Sequence, residues 1–179
     1  FLFWTITMLA RKVIAPKLSF AELGTKENSV KMWSIMAAGA IGALAYTFSD
    51  TFWFSAVEGE VYAMSSLCTA IVFWAILKWD LMDNERDADR WIIFISFIIG
   101  LSIGVHLLNL LTITAISLVI YYKIKDKPTA KGTILTILLS FVIIAIILFL
   151  IIPLLVKLAG YFELFFVNKV GLPFNVGTI

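Results

Sequence analysis

The chain has 179 residues, of which 61% are hydrophobic and 15% charged, and its mean hydropathy is +1.01. Ordinary soluble domains run about 45–50% apolar and about 25% charged, so a water-soluble globular fold is excluded and membrane-spanning helices are the natural sink for the excess. The net charge of +2, with no basic block longer than the Lys123, Lys125, Lys127 cluster, gives no support to a nucleic-acid partner, and one cysteine, Cys68, cannot build a disulfide framework or a cysteine-rich metal site.

Residues 1–10, FLFWTITMLA, are apolar but make only half of the roughly 20 residues that a crossing requires. This predicts a partial span, cut inside a helix of a longer protein. The polar stretch 11–31, with Pro16, Gly24 and Asn28, reads as a loop carrying one surface helix. Span 33–48 is short and rich in small residues, with Gly39 and Ala43 at the four-residue spacing that lets helices approach closely. A polar break, SDTFWFSAVEGE, separates it from span 61–77, which ends at Lys78. The charged loop that follows holds Asp80, Asp83, Glu85, Asp87 and Asp89 interleaved with Arg86 and Arg90, the pattern of a solvated loop.

The apolar tract from Trp91 to Tyr122 has 32 residues. As one helix it would be about 48 Å long, more than tilt absorbs in a core of roughly 30 Å. Two arms, 91–105 and 107–122, broken near His106, fit better, with Gly100 and Gly104 giving a GxxxG contact in the first arm. After a basic loop, 134–156 is long enough to cross alone, and 157–179 lies beyond it as an outer segment. The expected architecture is all-α: one polytopic transmembrane helix bundle over 1–179.

Lys and Arg accumulate in cytoplasmic loops. With these spans the loops at 11–31, 78–90 and 123–131 hold five, three and four basic residues, twelve in all, against Lys157 and Lys169 on the opposite side. The same assignment puts Asp50, Glu58, Glu60 and His106 at the outer face. A single crossing over 91–122 would place the last basic loop on the wrong side.

Acids at a membrane boundary are costly and are kept for a use. Asp50, Glu58 and Glu60 stand among Phe52, Trp53, Phe54 and Tyr62, where they read either as headgroup-level residues beside an interfacial aromatic belt or as carboxylates that bind a cation or a polar substrate group. Glu58 and Tyr62 are four apart and share a face if one helix carries both. His106, the single histidine, sits with Ser102 and Asn109 in GLSIGVHLLN, as a packing residue or as part of a pocket on the same outer side. One histidine cannot make a zinc site, and no Walker loop, dinucleotide fingerprint or nucleophile elbow is present.

The blocks FWFSAVEGEVYAMS and GLSIGVHLLN, joined by a charged loop ending ADRW, resemble a bacterial multi-pass family formerly catalogued as a domain of unknown function and related to the protein O-mannosyltransferases of the GT-C glycosyltransferase superfamily. The resemblance covers most of residues 33–123. It implies a location in the bacterial inner membrane, a polyprenyl-phosphate-linked sugar as donor, and a protein side chain or glycan as acceptor, with transfer at the outer face and room for a divalent cation as cofactor. It puts the catalytic acid upstream of Phe1, so this stretch alone is expected to be inactive. Asp50, Glu58, Glu60, Tyr62, His106 and Asn109 remain as donor-binding candidates. The competing class is a non-catalytic membrane protein, a transporter segment or an assembly subunit, for which the inverted repeat of many transporters is not visible.

Overall fold

The structure is a computed structural model that describes residues 1–59, 61–82 and 85–175. Every regular element among them is helical: α1 Leu2–Ile14, α2 Phe20–Leu23, α3 Ser29–Thr47, α4 Asp50–Val57, α5 Val61–Asp80, α6 Glu85–Ile103, α7 Thr112–Ile124, α8 Ala130–Ile146 and α9 Ile152–Phe165. They fall into two units, Phe1–Asp126 and Lys127–Ile179. Among the described residues three helical stretches, Val61–Asp80, Leu107–Ile124 and Ala130–Val170, are long and apolar enough to cross a membrane, and the pair Lys26–Thr47 and Asp50–Val57, bent by 54°, makes a fourth if counted as one span. The chain is an all-α, multi-pass membrane protein.

In the first unit α5 is the central helix. Its apolar residues are spread around the whole circumference, the pattern of a helix enclosed by others, and Val72, Ala75, Ile76 and Trp79 form a buried cluster with Ile95 of α6 and Ile116 of α7. Lipid tails are as apolar as these side chains, so what favours this association over lipid is close packing and interhelical hydrogen bonding. The rings of Phe1, Trp4, Trp74, Trp91 and Phe94 continue the packing from α1 across α5 to α6, each meeting the next at centroid distances of 5.2–6.4 Å.

The apolar tract 91–122 is divided between α6 and α7. Gly104, Val105 and His106 break it, and a 3₁₀ turn, Leu107–Leu111, leads into α7. Asn109, just before α7, is tied to Thr69 in the middle of α5, and Lys123, at the end of α7, to Trp79 near the end of α5, so α7 runs parallel to α5 and the chain has reversed after α6. The Lys123 ammonium donates to the carbonyls of Trp79 and Met82 at 2.7 and 2.8 Å, serving groups that the end of α5 leaves without intrahelical partners. Lys123 thus has a structural task at the end of the unit where α5 finishes.

One local expectation is extended and two are corrected. The close helix approach uses Gly39 and also Gly42: a Cβ on Gly39 would stand 2.4 Å from Thr7 Cγ2 and one on Gly42 2.7 Å from Ile6 Cδ1, so α1 lies directly on α3. The GxxxG pair at 100 and 104 makes no such contact among the described residues, where nothing lies within 4 Å of a Cβ on Gly100. Asp80, expected in a solvated acidic run, forms an ion pair with Lys12, joining the ends of α1 and α5.

The loop 11–31 folds back on the bundle through a small core of Ala15, Leu23 and Ile35, with Ala10, Leu18 and Met32 against it. Ser19 starts α2 with a capping box: its hydroxyl accepts from the Glu22 amide, and the Glu22 carboxylate accepts from the Ser19 amide at 2.7 Å. Hydrogen bonding of the carboxylate to the Ser19 amide first, and to the Ser19 hydroxyl second, holds the Glu22 carboxyl below its ordinary value of 4.5. A depressed folded value means that the cap is complete above the ordinary carboxylate range and is lost as pH falls through the folded value. The Ser19 amide proton resonance should therefore move with that titration, and Glu22→Gln, which keeps the acceptor oxygen, should abolish the movement.

In the second unit one helical path runs from Ala130 to Val170, 41 residues and about 61 Å. The sequence pattern ends the span at Val156 and makes 157–179 a separate outer segment; the helix instead continues to Val170. It does so through a π-helical turn at Ile147–Ile151, just before Pro153. Proline lacks the amide that would bond to the carbonyl four residues back and its ring crowds that carbonyl, and a wider turn there accommodates both defects.

Candidate functional site

Opposite the Lys12–Asp80 end, the first unit opens a cleft of about 660 Å³ bounded by α1, the bend between α3 and α4, α5 and the 3₁₀ turn. Its walls are apolar, from Phe1, Leu2, Phe52, Leu67, Phe73 and Leu108, with hydroxyls set among them from Thr5, Tyr46, Tyr62, Ser65, Ser66 and Thr69. No carboxylate, ammonium or guanidinium lines it among the described residues.

Local sequence explains each wall. Ser49 caps α4 by accepting from the Phe52 amide, and the 54° bend there folds Phe52 back so that its ring lies 4.8 Å from Tyr46. The Tyr46 hydroxyl donates to Ser66 Oγ at 3.0 Å, tying the end of α3 to α5. Gly59, with φ of 69°, ends α4 in a conformation that an L side chain adopts only with strain, and α5 starts afresh at Val61. Glu58 and Tyr62 are therefore not on one helix, and the shared face expected from their spacing does not exist.

His106 caps the 3₁₀ turn: its Nδ1 accepts from the Leu108 amide at 3.0 Å, and its ring lies 5.1 Å from that of Tyr62. Behind it is a buried polar relay. Asn109, 1% exposed, donates from Nδ2 to Ser102 Oγ at 2.7 Å and accepts at Oδ1 from Thr69 at 3.0 Å. Thr69 is itself a lining residue, so the relay ties the helix break to the cleft floor. Every one of these groups finds a partner, as polar groups in an apolar surrounding must.

The candidates from the sequence thus separate. Tyr62 lines the cleft; His106 and Asn109 stand outside the lining and reach it indirectly, His106 through its ring contact with Tyr62 and Asn109 through its bond from Thr69. Asp50 and Glu58 are exposed at the two ends of α4 and are absent from the lining, and Glu60 lies outside the described residues. Eight residues of helix put Asp50 and Glu58 about 12 Å apart along the axis, too far to share a cation whose oxygens sit at about 2.3–2.6 Å. Among the described residues no three His, Cys, Asp or Glu side chains gather into a metal site. Tyr46, Ser66 and Thr69 were missed in the sequence; the signal available was the row of hydroxyls at 62, 65, 66 and 69, which repeats at helical spacing.

No curated protein and no solved structure matches the chain. A family model described as the protein O-mannosyl-transferase TMEM260 N-terminal domain matches residues 1–130. That range contains every element of the cleft and the whole first unit. The chain therefore belongs to the family of the protein O-mannosyl-transferase TMEM260 N-terminal domain.

Proposed function

We propose that the cleft is the seat of a polyprenyl-phosphate-linked sugar in a GT-C-like transferase, and that the sugar passes from it to a hydroxyl of a protein side chain or glycan. The observation that carries this reading is the cleft itself: apolar walls suited to an isoprenoid chain, with hydroxyls able to hydrogen-bond a sugar, inside a membrane unit of an O-mannosyl-transferase family. In the reaction the bond between the anomeric carbon and the phosphate oxygen breaks, the acceptor oxygen takes the anomeric carbon, and the polyprenyl phosphate leaves. The acceptor proton goes to a base that is not among the described lining residues, so in this reading the cleft positions the donor and another group deprotonates. The donor set for a divalent cation is not assembled among the described acids, and no step is assigned to one.

The test is transfer by membranes bearing the full-length protein, from a polyprenyl-phosphate sugar to a hydroxyl acceptor. Tyr62→Ala, which removes a lining hydroxyl, should raise the Michaelis constant for the donor about tenfold, the effect of losing about 1.4 kcal/mol of uniform binding, and His106→Ala, which removes the ring that positions Tyr62, should act in the same direction, with a smaller change in turnover. Wild-type constants in both variants would remove the cleft from the reaction. Absence of transfer by the wild-type protein would favour the non-catalytic class.

A further inference from the structure

At the opposite end of the first unit lies a second cavity, of about 270 Å³, between α1, α2 and α3. Met8, Leu23, Met32, Ile35 and Met36 make it apolar, and among the described residues Arg11 is the one charged residue in its wall. Arg11 donates from Nη2 to the Leu18 carbonyl at 2.8 Å, and its guanidinium lies 3.9 Å over the ring of Phe20. Its Nε is buried and has no hydrogen-bond partner among the described residues. A guanidinium carries five N–H donors, and leaving a buried one unmade is costly.

The surroundings share the sign. Residues 11–31 hold Arg11, Lys12, Lys17, Lys26 and Lys31 against Glu22 and Glu27, a net of +3. Of the two acids, Glu22 is engaged in its own cap. Phe20, Val30 and Trp33 stand 64%, 77% and 67% exposed on the same loop and the start of α3, as large apolar side chains do where they meet a bilayer rather than water.

We infer that this cavity is a binding site for an anionic phospholipid, with an acyl chain among the methionines and the phosphate beside Arg11. Charge complementarity selects an anion, and the apolar wall selects one that carries hydrocarbon. Methionine suits such a wall because its unbranched thioether adapts to a chain of variable shape. The inference stands apart from the sugar-donor cleft and does not depend on it.

The experiment is lipid titration of the full-length protein in neutral detergent, read by native mass spectrometry. Phosphatidylglycerol should bind at least about tenfold more tightly than phosphatidylcholine of the same chains, and Arg11→Gln should weaken it about fivefold, the contribution of one basic group near an anionic surface. Arg11→Gln also removes the bond to Leu18, so Met36→Trp provides a second arm: it fills the cavity from its exposed rim and should eliminate one bound lipid while leaving the fold intact. Equal affinity for the two lipids, retention of that lipid by Met36→Trp, or equally tight binding of glycerol phosphate without acyl chains would each overturn the site.

Discussion

Gly39→Leu should be the most damaging substitution in the first unit. The Cβ alone would meet Thr7 Cγ2 at 2.4 Å and the Phe3 ring at 3.0 Å, and the remaining carbons of leucine have nowhere to go but between α1 and α3. Overpacking of this kind costs about 1–3 kcal/mol, and leucine belongs at the upper end of that range. Gly39→Ala recovers up to about 1 kcal/mol of helix propensity against the same clash, so it should be only mildly destabilising. Gly100→Ala, where the new methyl meets nothing within 4 Å, should be neutral or slightly stabilising. Thermal unfolding of the three variants in one detergent gives the comparison, and equal midpoints for Gly39→Leu and Gly100→Ala would show that α1 does not rest on α3 as described.

Asn109→Asp should be nearly as costly, with a pH signature. The side chain is 1% exposed and its polar neighbours are hydroxyls, so a carboxylate there would be buried among neutral groups. Burial away from any cation penalises the charged form of a carboxyl, so the folded variant holds its proton to higher pH than the unfolded chain does. A folded value raised above the unfolded one means that the variant is closest to wild type at low pH and loses stability as pH rises through the unfolded value toward the folded one. A loss on the order of 3 kcal/mol at neutral pH is expected. Asn109→Leu, which leaves Thr69 bonded to the Ser65 carbonyl and Ser102 to that of Ile99, should cost about 1–2 kcal/mol without pH dependence. Unfolding curves at two pH values separate these outcomes, and a pH-independent Asn109→Asp would mean that the relay is open to water.

Much of the fold is legible in residue order. The length and apolarity of Val61–Asp80 identify α5 directly, and the excess length of 91–122 points to a break, which the structure has at Gly104–His106. Less of the site is legible. His106 and Asn109 stand out because polar groups in an apolar run are few, whereas Tyr46 and Thr69 look ordinary until the bend at Ser49 and the 3₁₀ turn bring them to one cleft. The acids of 49–60 draw attention through charge, yet Asp50 and Glu58 are exposed on α4, because Gly59 ends that helix before α5 begins.

The all-α class and the membrane setting were determined by the sequence alone. These depend on run length and charge, which are local properties measured against a bilayer of nearly constant thickness. Which polar groups meet was decided only by tertiary structure. Lys12 finds Asp80 across 68 residues, Lys123 finds Trp79 across 44 and Thr69 finds Asn109 across 40. Each pairing depends on how far a helix is rotated about its axis and slid along its neighbour. Those two quantities are set by interlocking side chains on separate helices, such as Thr7 and Phe3 over Gly39, and no spacing within one helix contains them.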